Sequence, residues 1–184
     1  HNPRQIIWFS LGLGFYVVAE VLIATRLVLY LTRQFGFDTA QASYYLTAFF
    51  VLMLMGRLLF TFVHFAAFSN RQIVRLCLLG ATFVFTVGLF VSPLLLVLSG
   101  VFMGPVFGVS IDYASEVFKS GVATALSKIL ALQALLIVGM HYLVGVLSQY
   151  FGISVALALG SVFMLASLLI VHFEPWRRLE PEAL

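Results

Sequence analysis

Charged side chains are scarce in this sequence: Asp, Glu, Lys and Arg make up 9% of its 184 residues. A water-soluble domain carries about 25%. Hydrophobic residues reach 62%, and a soluble domain of similar length still leaves about 30% of its chain surface in water. There is too little polar surface to clothe such a body, so a soluble enzyme or soluble binding module is excluded and the solvent must be lipid. Cysteine is almost missing as well; Cys77 stands alone, which excludes an internal disulfide. The apolar–polar alternation of a membrane barrel is absent, which leaves helices as the way to cross a bilayer. No His-Glu-x-x-His, P-loop, paired catalytic aspartates or Cys/His cluster occurs, so no metal or other cofactor is expected. The net charge of +3 is spread over short connectors and forms no nucleic-acid-binding patch.

What is present is a series of long apolar runs. Six can be drawn: 5–31, 41–65, 71–91, 94–117, 126–148 and 153–173. Each reaches the ~20 residues that span a hydrocarbon core. The connectors carry turn chemistry at Gly36-Phe37-Asp38-Thr39, Ser69-Asn70-Arg71, Ser92-Pro93, Lys119-Ser120-Gly121 and Phe151-Gly152. Asp38 or Thr39 is expected to cap the second helix, and Ser69 or Asn70 the third. Loops this short force neighbouring helices to run antiparallel. The expected fold class is therefore all-α and integral to the membrane, a single six-helix domain over residues 1–184. The first run is too long for a signal peptide and lacks a small-residue cleavage site. The chain opens on His1-Asn2-Pro3-Arg4 rather than Met, so a cut end or a fragment is the expectation.

Lys and Arg set the expected orientation. With the N-terminus in the cytoplasm, Arg4, Arg71, Arg75, Lys119, Lys128, Arg177 and Arg178 fall inside and Arg33 falls outside. Trp8 and Trp176 then lie at the inner interface, and Tyr30, Tyr44, Tyr45 and Tyr150 near the outer one, as amphipathic rings should. The expected location is the inner or plasma membrane, with both termini cytoplasmic.

Ionisable groups inside a membrane are functional candidates by default. Glu20 lies close to the middle of the first run, in a stripe of Gly12, Tyr16, Glu20 and Ala24 at four-residue spacing. One reading makes Glu20 a reversible site for a proton, a cation or a polar substrate group; the other makes it a carboxyl bonded across a helix interface. Arg26 lies nearer the outer end and is expected to snorkel outward. Arg57 follows Gly56 on the inner half of the second helix. Asp112 and Glu116 share one face at the inner end of the fourth, where a pair with Arg57, Arg71, Arg75 or Lys119 would make either a latch or a static tie. Gly100, Gly104 and Gly108 allow close helix approach, and Pro105 leaves the Val101 carbonyl without its helical donor and should bend the chain. Gln133 and His141, two turns apart on the fifth helix, line a cavity or are satisfied by a neighbouring helix. His64 and His172 sit near inner ends.

This layout resembles the seventh to tenth helices of major facilitator transporters, particularly the fucose-permease-like branch. The residues that carry the likeness are Tyr16-Val-Val-Ala-Glu20 in the first helix, Gly56-Arg57-Leu58 in the second, and Gly104-Pro105 in a fourth that ends Asp112-Tyr-Ala-Ser-Glu116. The resemblance implies two inverted three-helix repeats forming the C-terminal half of a twelve-helix protein. It also implies alternating-access movement of a small polar solute, sugar-like or another metabolite, coupled to H+ or Na+. By the same likeness Glu20 faces a cavity, and Gly56 and Arg57 belong to a conformational latch. The fuller loop signature after Arg57, with an aspartate and further basic residues, is absent from this sequence. The glycine run also departs from the antiporter motif, because position 109 is Val. The partners implied are the solute, the ion, the bilayer, and either an N-terminal six-helix half or a second copy.

Two other classes stand beside this one. A self-contained six-helix channel or homodimeric transporter would have the same sequence features. An intramembrane serine protease would need Ser99 paired with a histidine. His172 is separated from Ser99 by roughly 25 Å of helix rise, and His141 is the other choice. The expectation is that the chain is not an enzyme.

Overall fold

The structure, a computed structural model, describes residues 2–62, 67–119 and 121–176. Six α-helices follow one another: α1 Pro3–Phe35, α2 Thr39–Phe62, α3 Asn70–Val91, α4 Pro93–Val117, α5 Val122–Phe151 and α6 Ile153–Phe173. All six are long and apolar enough to cross a membrane. The expected stretch 63–65 of the second helix, and with it His64, lies outside the described residues, as do Ser120, Arg177 and Arg178.

Local chemistry explains the boundaries. Asn2 accepts from the Arg4 amide and Pro3 occupies the first turn, where a missing N–H costs nothing. Helix α1 runs four residues past the end of its apolar run, through the polar Thr32-Arg33-Gln34. It stops at Gly36, whose φ of 68° is a left-handed C-terminal cap. Asp38, not Thr39, caps α2 by accepting from the Gln41 amide at 2.7 Å. Ser69, not Asn70, caps α3, in a reciprocal box with Gln72. Helix α5 is longer at both ends than its apolar core, starting after Gly121 and stopping before Gly152. At 33 residues α1 is about 50 Å long, well beyond the ~30 Å hydrocarbon thickness, so its ends project or the helix tilts.

Cross-helix contacts fix the directions. Gln5 of α1 donates to the Trp176 carbonyl, Arg71 of α3 pairs with Glu174 after α6, and the Tyr113 hydroxyl of α4 donates to Glu174. These gather the starts of α1 and α3 and the ends of α4 and α6 at one end of the bundle, the terminal end. At the far end the Tyr30 hydroxyl donates to the Leu89 carbonyl, and Ser154 donates to Gln34. Helix α1 is the most enclosed and packs against α5 and α6, with further contacts to α2 and α4; α3 packs on α4 and α6, and α2 packs on α4. Helices α2 and α5 are the least enclosed.

Two interfacial expectations are corrected. Tyr30 is buried because its hydroxyl ties α1 to α3. Trp176 does not sit in a lipid-facing belt; it is buried against Phe9 and Tyr113, with ring centroids 5.1 Å and 6.2 Å away. The chain turns back after α6 through Glu174, a non-glycine residue at φ 44°, and that turn drives Trp176 under the bundle. Trp8, Tyr44 and Tyr150 are exposed.

The tightest seam joins α2 and α4. A side-chain carbon added at Gly100 would lie 2.6 Å from the Phe49 carbonyl oxygen, and one at Gly104 would strike the Met53 carbonyl. One at Gly56 would strike the Val101 carbonyl, the acceptor that Pro105 deprives of its helical donor. Gly108 meets nothing within 4 Å. Replacing Gly56 by Ala should therefore destabilise the bundle by about 1–3 kcal/mol, the usual cost of overpacking. Gly108→Ala should be neutral or slightly stabilising, since Ala favours helix by about 1 kcal/mol. Thermal unfolding of both variants in mild detergent checks the contrast; equal melting temperatures would contradict the seam.

Candidate functional site

The first helix delivers two polar groups to the α2–α4 seam. Tyr16 is fully buried, and its hydroxyl lies 2.5 Å from Glu20 Oε2 and 2.6 Å from the Met103 carbonyl oxygen of α4. Glu20, one turn further, keeps about a fifth of its side chain exposed. Arg57 of α2 completes the group: Nη2 donates to Glu20 Oε1 at 3.2 Å, and Nε donates to the Gly104 carbonyl at 3.2 Å. Three helices thus meet around one carboxyl group. Met103 and Gly104 immediately precede Pro105. Each carbonyl has a second lone pair, so it accepts a side-chain donor besides its helical one.

The hydrogen count at Tyr16 matters. A phenol owns one proton, yet two acceptors lie within 2.6 Å of it. With Glu20 ionised, the phenol proton serves either the carboxylate or the Met103 carbonyl. With Glu20 protonated, the carboxyl donates to the phenol oxygen and the phenol donates to Met103, so both contacts are true hydrogen bonds. Arg57, in contrast, gains a charged partner only when Glu20 is ionised. The geometry gives Glu20 a complete set of partners in either protonation state, and the two sets pull on different helices.

A cavity of about 760 Å³ adjoins this cluster toward the terminal end, lined by Arg57, Thr61, Asn70, Gly104, Pro105 and Asp112 among others. Gly108, the glycine that takes no part in helix packing, also lines it.

The remaining candidates separate. Gly12 shares the four-residue stripe but belongs to the α6 seam: its carbonyl accepts from Ser167, and an added carbon there would lie 3.2 Å from Ile170. Four residues turn a helix through about 400°, so the stripe drifts from α6 toward α2 and α4. Gln133 of α5 is buried beside Gly14, its Nε2 without a partner among the described residues. Gly14 and Tyr16 are two residues, or about 200°, apart around α1, so Gln133 lies across α1 from the Tyr16 contacts and does not join them. His141 is partly buried and makes no hydrogen bond or ion pair among the described residues.

The expected latch pairs also rearrange. Arg57 pairs with Glu20 and not with Asp112 or Glu116, because the glycine seam brings α2 close enough for the guanidinium to reach α1. Asp112 lines the cavity and forms no ion pair among the described residues. Glu116 accepts from Asn70 Nδ2 at 2.8 Å, tying the end of α4 to the start of α3 with no charge partner among the described residues. Arg71 is taken by Glu174 at 3.1 Å and by the His172 carbonyl at 2.9 Å. Arg75 lies against His172. Arg26 is partly buried, and its Nε has no hydrogen-bond partner among the described residues. Ser99 is fully buried and donates to Leu96 in its own helix, so no serine–histidine dyad forms among the described residues. Glu174 and Tyr113 were not singled out by the sequence. A glutamate two residues before a Trp and just past an apolar run was the available signal.

A double-mutant cycle tests the central pair. Glu20→Gln and Arg57→Gln should each destabilise the protein, and the double variant should lose less than their sum. The coupling should fall in the range of about 0.5–3 kcal/mol typical of contacting residues. Strict additivity in thermal or denaturant unfolding would mean that the two side chains do not interact.

No family model matches this chain and no curated protein matches it. Sequence and structure together show a six-helix, largely apolar α-helical bundle with the character of a multi-spanning integral membrane protein, broadly compatible with membrane transport.

Proposed function

We propose that this chain is the C-terminal half of a major facilitator-type secondary transporter, moving a small polar solute by alternating access with Glu20 as the coupling site. The observation that carries the proposal is the Tyr16–Glu20–Arg57 cluster, which ties α1 and α2 to the α4 carbonyls next to Pro105. Ionised Glu20 holds Arg57 and so holds α2. A proton or other cation on Glu20 competes with Arg57 for the carboxylate and hands the phenol proton to Met103. Each state then favours a different arrangement of α1, α2 and α4, which is what coupling requires: the ion must interact differently with two conformations. The adjoining cavity falls within the ~300–1,000 Å³ typical of small-molecule sites. Its lining is mostly apolar, and Arg57, Thr61, Asn70 and Asp112 add the few polar groups that would orient a small hydroxylated solute.

Helix packing supports the inverted-repeat reading. Exchanging α1–α3 with α4–α6 maps the α1–α6 contact onto α3–α4, α1–α5 onto α2–α4, and α1–α2 onto α4–α5. The α5–α6 contact lacks an α2–α3 counterpart among the described residues. Helices α2 and α5, which the exchange relates, are the two least enclosed. They are the natural contact surfaces for a second six-helix unit, whether a different half or another copy. We place the termini in the cytoplasm on the Lys and Arg distribution, and we assign the protein no enzymatic activity.

In proteoliposomes holding the complete transporter, Glu20→Gln should lower ion-driven uptake by about a hundredfold or more, the usual effect of losing a positioned proton-transfer group, and should flatten its pH dependence. Ion-independent counterflow should survive. Unchanged uptake with an unchanged pH profile would reduce Glu20 to a packing residue.

A further inference from the structure

A second cavity, of about 560 Å³, lies on the outside of the bundle between α3 and α6. Its walls are Leu76, Leu79, Leu168, Leu169 and Phe173, and its polar edge is Gln72, Arg75 and His172. Leu76, Leu79, Leu169 and Phe173 are all largely exposed, so the groove opens to the hydrocarbon and not into the bundle. Its polarity is ordered by depth. Arg75 stands in the second turn of α3, at the terminal end, and His172 stands in the last turn of α6 at the same end. Leu79 and Leu168 are each one turn deeper, at about 1.5 Å per residue.

Arg75 has no carboxylate partner among the described residues. It lies against His172, with Nη2 2.7 Å from Nδ1. A guanidinium only donates, so Nδ1 accepts and carries no proton. The neutral ring orients the cation without neutralising it. The neighbouring Arg71, by contrast, is compensated by Glu174. A guanidinium with no carboxylate partner among the described residues, at the edge of an apolar, outward-facing groove, calls for an anion with a hydrocarbon tail. Arg forks match phosphate oxygens, and basic pockets between helices near the membrane surface recognise acidic headgroups.

We propose that the α3–α6 groove binds one anionic phospholipid, its phosphate on Arg75 and Gln72 and an acyl chain along Leu76, Leu79, Leu168 and Leu169. His172 is a positioning residue that holds the guanidinium at the mouth. A free anion would leave the apolar floor uncovered, and a zwitterionic lipid would leave the charge of Arg75 opposed by its own ammonium. The groove meets the first cavity at Phe68, which lines both, but its occupancy does not depend on the transport proposal.

Native mass spectrometry of the purified protein in neutral detergent tests it, with dioleoylphosphatidylglycerol and dioleoylphosphatidylcholine as the probes. The phosphatidylglycerol should be retained at least roughly fivefold more tightly, the factor equivalent to about 1 kcal/mol for one basic side chain near an acidic headgroup. Arg75→Gln should bring it down to the phosphatidylcholine level, and Arg75→Lys should keep most of the preference. Leu169→Trp, which fills the floor at an exposed position, should weaken retention with Arg75 intact and serves as the test if Arg75→Gln fails to fold. Lys119→Gln, which removes a charge elsewhere at the terminal end, should change nothing. The proposal is overturned if Arg75→Gln keeps the preference, if Lys119→Gln removes it equally, or if water-soluble glycerol phosphate displaces the lipid.

Discussion

The close approach of α2 and α4 is the constraint on which the central cluster depends. Gly56, Gly100 and Gly104 remove the side chains that would otherwise hold these helices apart, and Pro105 frees the Val101 carbonyl that settles onto Gly56. Only at that separation does Arg57 satisfy two acceptors at once, the Gly104 carbonyl beside it and the Glu20 carboxyl on a third helix. In hydrocarbon, helices gain nothing from hiding apolar surface from each other, so small residues and polar contacts must supply the specificity. The seam is where this bundle does both.

The few charges in the chain are distributed by the same logic. An isolated charge in lipid is costly, and the described acids that enter the bundle have basic partners: Glu20 with Arg57 and Glu174 with Arg71. The second pair closes the terminal end of the bundle. Through Tyr113, Trp176 and Gln5 it joins α1, α3, α4 and α6 where their ends converge. In the first pair Arg57 lines a cavity and is close to half exposed. In the transport cycle proposed above, the open pair is the coupling site. A pair buried under aromatic rings serves as a clasp. The same two residue types therefore play different parts because of what surrounds them.

Much of the architecture was legible beforehand. Apolar length gave six crossings, and turn residues gave their order; Asp38-Thr39 and Ser69-Asn70 narrowed two helix starts to a pair of candidate caps each. Helix ends were less legible where polar residues continue the helix, as at Thr32 to Phe35, because backbone hydrogen bonds do not stop where hydropathy falls. Glu20 and Tyr16 were found because a carboxylate in a membrane run is anomalous on any face. Their partners were not, since depth alone offered Arg57 to Asp112 or Glu116, alongside Arg71, Arg75 and Lys119.

The amino-acid order by itself determined the solvent, the number of helices, their alternation, and which residues are too polar for lipid, because these depend on properties each segment carries with it. Tertiary structure alone decided that Gly12 belongs to α6, that Gln133 lies across α1 from Tyr16, that Trp176 is buried, and that Glu20 meets Arg57. Spacing along one helix fixes depth and face relative to that helix. Which neighbour stands opposite that face is set by how six helices pack together, and no single segment encodes it.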